Sequence, residues 1–272
     1  MMWAAAKDPY VLTVQPDDFF PNPRREEENF GTMICFHRRY DLGDKHEFKD
    51  SDDLIHYLFI RSSGESEISQ KEYLYERLME HMEDEAEGVL PSASQIKATN
   101  DYLMSEIQNG YVVLPVYLLD HSGLTMSTTD FNDHWDSGQV GIIFVSFEKI
   151  CEEMEVSRVT PSIKNKAEQM LREEVELYDA YLRGECYCYE LYKDGELEHS
   201  CGGFTRAFDK AVKDMIEYLP DKCKDIVDDL TETSDAPSMI HTLRKHANIQ
   251  VEQAAKDYEH LPRQKSLDPT LS

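Results

Sequence analysis

The stretch YVVLPVYLLDHSGLTMSTTDFNDHWDSGQVGIIFVSF, residues 111–147, decides the architecture. Its two ends, 111–119 and 139–147, are apolar at consecutive positions and not only at alternate ones. A strand reads that way when both of its faces are covered, so each end belongs in the middle of a sheet, with Pro115 as a flaw or bulge. Between them, residues 120–141 gather Asp120, His121, Ser122, Asp133, His134, Asp136 and Ser137 around three glycines. Asp and Ser side chains bond backbone amides and Gly takes the left-handed conformation, so this block reads first as an organised connection. Trp135 is expected to anchor that connection to the core.

Working outward, GTMICFHRRY (31–40) alternates as a strand, with Met33 and Cys35 on one face and Ile34 and Phe36 on the other. Helices are expected at 51–60, capped by Ser51, at 69–88 and at 92–110. A longer helix over 160–184 opens on Thr-Pro, closes on Gly184 and turns Ile163, Ala167, Met170, Leu171, Val175, Tyr178 and Leu182 inward. ECYCYELYKDGELEHSC (185–201) is a hairpin closed by Asp194-Gly195, with Lys193 opposite Glu196. Counting outward places Cys188 opposite Cys201 and Glu190 opposite His199. Helices follow over 205–219 and about 238–260, separated by a broken acidic connection at 220–235. Strands and helices do not alternate strictly. The expected class is α+β, with one mostly antiparallel sheet of about five to six strands, several helices and a helical C-terminal extension. Residues 1–30, interrupted by Pro9, Pro16, Pro21 and Pro23, are expected as an irregular arm. A core over 31–220 and an acidic linker with helix and tail over 221–272 complete the division.

Charge restricts the partners. The 272 residues carry 54 acidic and 28 basic side chains, a formal charge of −26. Nucleic acid and anionic membranes are bound by displacing counterions with Lys and Arg, so direct binding to either is not expected. Basic protein surfaces are attracted, with fast and salt-sensitive association. Duplex DNA carries one charge per ~1.7 Å, so −26 matches about 45 Å of duplex if the carboxylates share one face. The residues at the start lack the pattern of a secretory leader and no window is apolar enough to span a membrane, so the six cysteines are read as reduced thiols in a cytoplasm.

Two constellations could carry chemistry. His37, Asp120, His121, His134 and Asp136 could assemble a hydrolytic metal site, or pair a histidine with Ser122 or Ser137 as nucleophile. No spacing of a recognised catalytic or nucleotide-binding motif is present. In the hairpin, Cys186, Cys188, His199 and Cys201 share a face under the expected register and would make a Cys3His zinc site. C-x-C on a flat strand splays its sulfurs, and packing under a helix is the plainer reading. Arg38 and Arg39 are expected to pair with carboxylates of this chain. No cofactor is expected.

The segments NPRREEENFGTMICFHRRYDLGDKH, YLLDHSGLTMSTTDFNDHWDSGQVGIIFVS and EVELYDAYLRGECY, in that order, resemble a family of proteins encoded in bacteriophage and prophage genomes. The likeness covers roughly residues 22–205 and implies no reaction, cofactor or catalytic residue. Together with the charge it implies a phage-encoded inhibitor in the host bacterial cytoplasm. Such a protein would occlude the basic nucleic-acid-binding surface of a restriction, CRISPR or other nuclease complex, as a DNA mimic. The contact residues expected are Glu83, Asp84, Glu85, Glu87, Glu173, Glu174, Glu176, Asp225, Asp228 and Asp229. The other readings are a metal-dependent or nucleophilic hydrolase of a nucleotide or small signal molecule, and a non-enzymatic phage adaptor. A homodimer is compatible with each.

Overall fold

A computed structural model describes residues 2–25, 28–62, 67–84, 93–133 and 135–259. The α+β class with antiparallel sheets holds, but the strands form two sheets and not one. The chain divides into two compact units, residues 21–183 and residues 1–20 with 184–272.

The first unit is built on a four-stranded sheet in the order β3-β6-β4-β5, all pairs antiparallel. These strands are β3 (Thr32–Cys35), β4 (Tyr111–Asp120), β5 (Leu124–Ser127) and β6 (Ser137–Ser146). Both faces of β4 are covered, as its unbroken apolar sequence requires. Val112, Leu114, Val116 and Leu118 share one core with Met33, Cys35, Ile143 and Val145, beneath Ala167, Leu171, Val175 and Tyr178 of the helix Pro161–Leu182. Tyr111 on the other face joins Ile34, Ile142 and Phe144, beneath Leu54, Leu58 and Phe59 of α1 (Ser51–Arg61) and Leu103 and Ile107 of α3 (Ala93–Ile107). Burying one such aliphatic or aromatic side chain stabilises by about 1.5–3 kcal/mol, which is why this pattern dictates the layers. Helix α2 (Ile68–Asp84) lies on the α1 side, α4 (Phe147–Glu153) follows β6, and the helix at 161–182 is α5. The expected stop of α2 at Gly88 lies outside the described residues. Asp50, not Ser51, caps α1 by accepting from the Asp53 amide. The expected Thr160 cap and Pro161 start of α5 are present.

A buried clasp joins the segments before β3 to α5. The Asn22 side chain accepts from the Arg24 amide at 2.9 Å and turns the chain inward. Arg24, with 1% of its side chain exposed, donates from Nε and Nη2 to both oxygens of Asp44 (2.8 and 2.7 Å), from Nη1 to Glu174 (2.8 Å) and from Nη2 to the Gly31 carbonyl (2.8 Å). The carboxylates are satisfied in turn by the Met33 amide on Asp44 and the Phe30 amide on Glu174. Burial alone would lower the Arg24 pKa; the bonds to Asp44 and Glu174 outweigh it and hold the guanidinium above its ordinary value. Gly43 makes the clasp possible. Its φ is +69°, and a Cβ there would meet the Met33 carbonyl oxygen at 2.5 Å.

The second unit is a five-stranded antiparallel sheet in the order β8-β7-β2-β1-β9. It comprises β1 (Trp3–Lys7), β2 (Tyr10–Pro16), β7 (Cys186–Lys193), β8 (Glu196–Thr205) and the short β9 (Thr231–Glu232). The expectation of an irregular N-terminal arm is therefore corrected. Its prolines fall where strands tolerate them, Pro9 in the turn and Pro16 at the end of β2. The expected division at 31–220 gives way with it, because β1 and β2 complete the sheet that β7 and β8 begin. Leu12, Val14, Tyr187, Tyr189 and Leu191 pack with Ala211 and Met215 of α6 (Phe208–Met215) and with Cys223 and Ile226 of a 3-10 helical segment, Asp221–Asp229. Helix α6 is shorter than the 205–219 expected. The final helix, α7 (Ala236–Glu259), packs against β1 and β2, and Arg244 donates to the Gly195 carbonyl at 2.9 Å. Among the described residues no helix is long and apolar enough to cross a membrane.

Candidate functional site

The block between β4 and β6 is largely turn chemistry. β4 and β5 form a tight hairpin through His121, Ser122 and Gly123, with Ser122 at φ 58° and Gly123 at φ 156°. Thus a strand, β5, interrupts what the sequence pattern presents as one long connection. Beyond it, Asp130 accepts from the Asn132 amide, and Asp133 accepts from the Trp135 and Asp136 amides. The Asp133 carbonyl takes the Ser137 hydroxyl at 2.5 Å. Ser137 is therefore not aimed at a histidine. Trp135 is 95% exposed and anchors nothing, because the turn around Asp133 holds its backbone at the surface.

Three of the five residues expected for catalysis do come together. Asp120 donates its amide to the Asp136 carbonyl at 2.9 Å, and His121 Nδ1 lies 2.8 Å from Asp136 Oδ2. Asp120 is ion-paired with Arg39 and also lies 3.5 Å from the Tyr40 hydroxyl. That contact brings in the turn His37-Arg38-Arg39-Tyr40. There His37 Nδ1 accepts from the amides of Arg39 and Tyr40 at 3.3 and 3.2 Å, and its ring stacks on Tyr40 at 5.0 Å. His134 lies outside the described residues. Arg39 pairs internally as expected. Arg38 does not; it is exposed and forms no ion pair among the described residues. No group of three or more His, Cys, Asp or Glu side chains among the described residues is arranged to hold a metal.

The hairpin register corrects the zinc reading. Lys193 does pair with Glu196, but bulges in β8 shift the rest, so that Tyr189 faces Cys201, Leu191 faces His199 and Glu190 faces Ser200. His199 and Cys201 go to the Tyr189 side, where the Tyr189 hydroxyl meets His199 Nδ1 at 2.9 Å and Cys201 packs on the core. Cys186 and Cys188 alternate to the opposite face. Burial drives the Cys186 thiol up to about 11, helped by Asp17 and Glu185.

The expected partner-binding carboxylates fall in both units, and several lie outside the described residues. Helices α2 and α5 cover opposite sides of the four-stranded sheet. Glu174 is corrected outright: its side chain is 15% exposed and committed to Arg24. Glu173 and Glu176 are exposed on α5. The side chains of Glu83 and Asp84, and all of Glu85 and Glu87, lie outside the described residues. In the second unit Asp225 is paired with Lys7. Asp228 and Asp229 are exposed without an ion pair among the described residues, and begin DDLTETSD (228–235), four carboxylates with no cation. The segment borders an open groove of about 890 Å³ whose lining includes Asp17, Asp18, Glu232, Cys188 and the exposed Phe19. Asp17 and Asp18 escape a reading of the sequence because the prolines around them mark an irregular arm.

No family model, curated protein or solved structure matches this chain.

Proposed function

We propose that the chain is a non-enzymatic binding protein that engages a basic protein surface through the acidic groove of its second unit. The observation that carries this reading is the groove itself. Asp17, whose oxygens also accept the Phe19 and Gly203 amides, lines it with Asp18 and Glu232, and Asp228, Asp229 and Asp235 extend the charge along the same segment. Exposed Phe19 adds a ring face of the kind that Arg and Lys side chains stack on. The likeness to phage-encoded proteins directs the choice of partner to host complexes that handle nucleic acid, and inhibition would follow from occupying their Lys/Arg surface. Duplex mimicry spread over α2 and α5 is not part of this reading, since those helices face opposite ways.

The test is inhibition and binding assayed against a panel of purified restriction and CRISPR nuclease complexes. Binding is expected to weaken steeply between low and physiological salt. The triple change Asp17→Asn, Asp18→Asn, Glu232→Gln should weaken it at least tenfold, while Glu173→Gln with Glu176→Gln leaves it unchanged. Salt-insensitive binding would sink the reading. The rival enzymatic reading is favoured by one observation, the His121–Asp136 pair at 2.8 Å. Against it stands the engaged Ser137 hydroxyl.

A further inference from the structure

In a chain of charge −26, a groove lined by Arg38, Arg39 and Lys49 stands out. It lies in the first unit, has a volume of about 680 Å³ and is walled by the His37–Tyr40 turn and by the residues leading to Lys49. Arg38 and Lys49 reach it with no ion pair among the described residues, and Arg39 lines it while paired to Asp120. The acid on its rim, Asp41, is already neutralised by Arg25 at 2.9 Å. Its remaining lining is aromatic: Phe36, Tyr40 and Phe48.

His37 is polarised toward donation. With Nδ1 of His37 accepting two backbone amides, its ring proton resides on Nε2, so the free edge offers an N–H donor. His46 Nε2 lies 3.2 Å from the Cys35 carbonyl oxygen, which fixes the proton there. That leaves its Nδ1 as a buried acceptor without a partner among the described residues. That atom is closed to solvent and is a feature of the packing beneath the groove, not of its open surface. Unpaired cations for a phosphate, an N–H donor at His37 and an aromatic lining for a base suit one kind of molecule.

We propose that this groove binds a mononucleotide, its phosphate between Arg38 and Lys49 and its base against the aromatic wall. Screening makes this compatible with the acidic chain. At physiological salt the Debye length is about 8 Å, so the cations lining the groove act on a small ligand while carboxylates elsewhere on the chain are screened. A long polyanion would meet the whole field and is repelled. Nucleotide binding here is independent of the acidic groove of the other unit.

Calorimetric titration of the full chain with adenosine 5′-monophosphate and uridine 5′-monophosphate tests it, with adenosine and inorganic phosphate as controls. Saturable binding of at least one nucleotide is expected, tenfold or more tighter than either control. Arg38→Ala with Lys49→Ala should weaken it at least tenfold with an unchanged thermal midpoint, both side chains being exposed. Phe48→Leu should weaken nucleotide but not phosphate. The proposal is overturned by absence of saturable nucleotide binding at millimolar concentration, by equal binding of either control, or by an undiminished affinity of the double variant.

Discussion

Two charge clusters of the first unit use the same residue types and come to opposite ends. Arg24, Asp44 and Glu174 form a clasp in which the guanidinium is 1% exposed and every oxygen has a donor. Arg39 with Asp120, and His121 with Asp136, pair at the surface, where the His121 side chain is 69% exposed. Reading by composition favours the second cluster as the important one, because it concentrates His, Asp and Ser. Energetics favour the first. Taking charges out of water costs several kcal/mol per ion, so removing one member leaves the others buried and uncompensated. Arg24→Ala is expected to lower unfolding free energy by about 3–5 kcal/mol in denaturant titration, among the largest effects of any single change. Arg24→Lys should recover little, because an ammonium cannot make the two-pronged contact with Asp44. An Arg24→Ala protein of undiminished stability would erase the distinction between the clusters.

The thiol beside the clasp sharpens the contrast. Burial, with the Asp44 carboxylate adding and Arg24 opposing, pushes Cys35 from an ordinary 9 up to about 12. Burial likewise pushes Tyr189 and Tyr192 up to about 12. In each case the unfolded chain ionises before the folded one. Their contribution is therefore complete below about pH 9 and is lost as pH rises through the folded values. For a well-buried group such as Cys35 the loss runs at about 1.4 kcal/mol for each pH unit between its unfolded and folded values. Thermal midpoints should fall progressively between about pH 9 and 12. Cys35→Ala should shallow that fall, and Cys35 should resist alkylation at pH 8 in the native state. A midpoint flat to pH 11 would contradict this.

The elements of the first unit are legible because β4, β6 and α5 announce their burial through unbroken apolar runs and a 3.6-residue stripe. The clasp is not. Asn22-Pro23-Arg24 and Gly43-Asp44 are far apart in sequence from Glu174, and a buried ion pair leaves no local signature. β1 and β2 are hidden because four prolines outweigh the apolar residues of YVLTV, although Pro9 and Pro16 occupy turn and strand-end positions where the ladder loses nothing. The hairpin fails by register alone. Counting outward from Asp194-Gly195 assumes no bulge, and a one-residue bulge moves every later side chain to the other face. That moves His199 and Cys201 away from Cys186 and Cys188 and undoes the zinc set.

The exposed cluster yields the smallest stability effects and the most discriminating ones. Solvent-exposed ion pairs are worth about 0.2–1 kcal/mol and fade with salt. Arg39→Ala, His121→Ala and Asp136→Asn are each expected to cost less than about 1 kcal/mol in denaturant titration, and less still at high ionic strength. Asp133→Ala should cost more than any of them, because its carboxylate caps two turn amides. If His121→Ala instead abolished a biological activity while stability stayed within about 1 kcal/mol, the surface pair would be functional and the acidic-groove reading would lose its priority. If His121→Ala and Asp136→Asn are silent in both measurements, the conspicuous histidine and aspartates of this block are there to shape a turn.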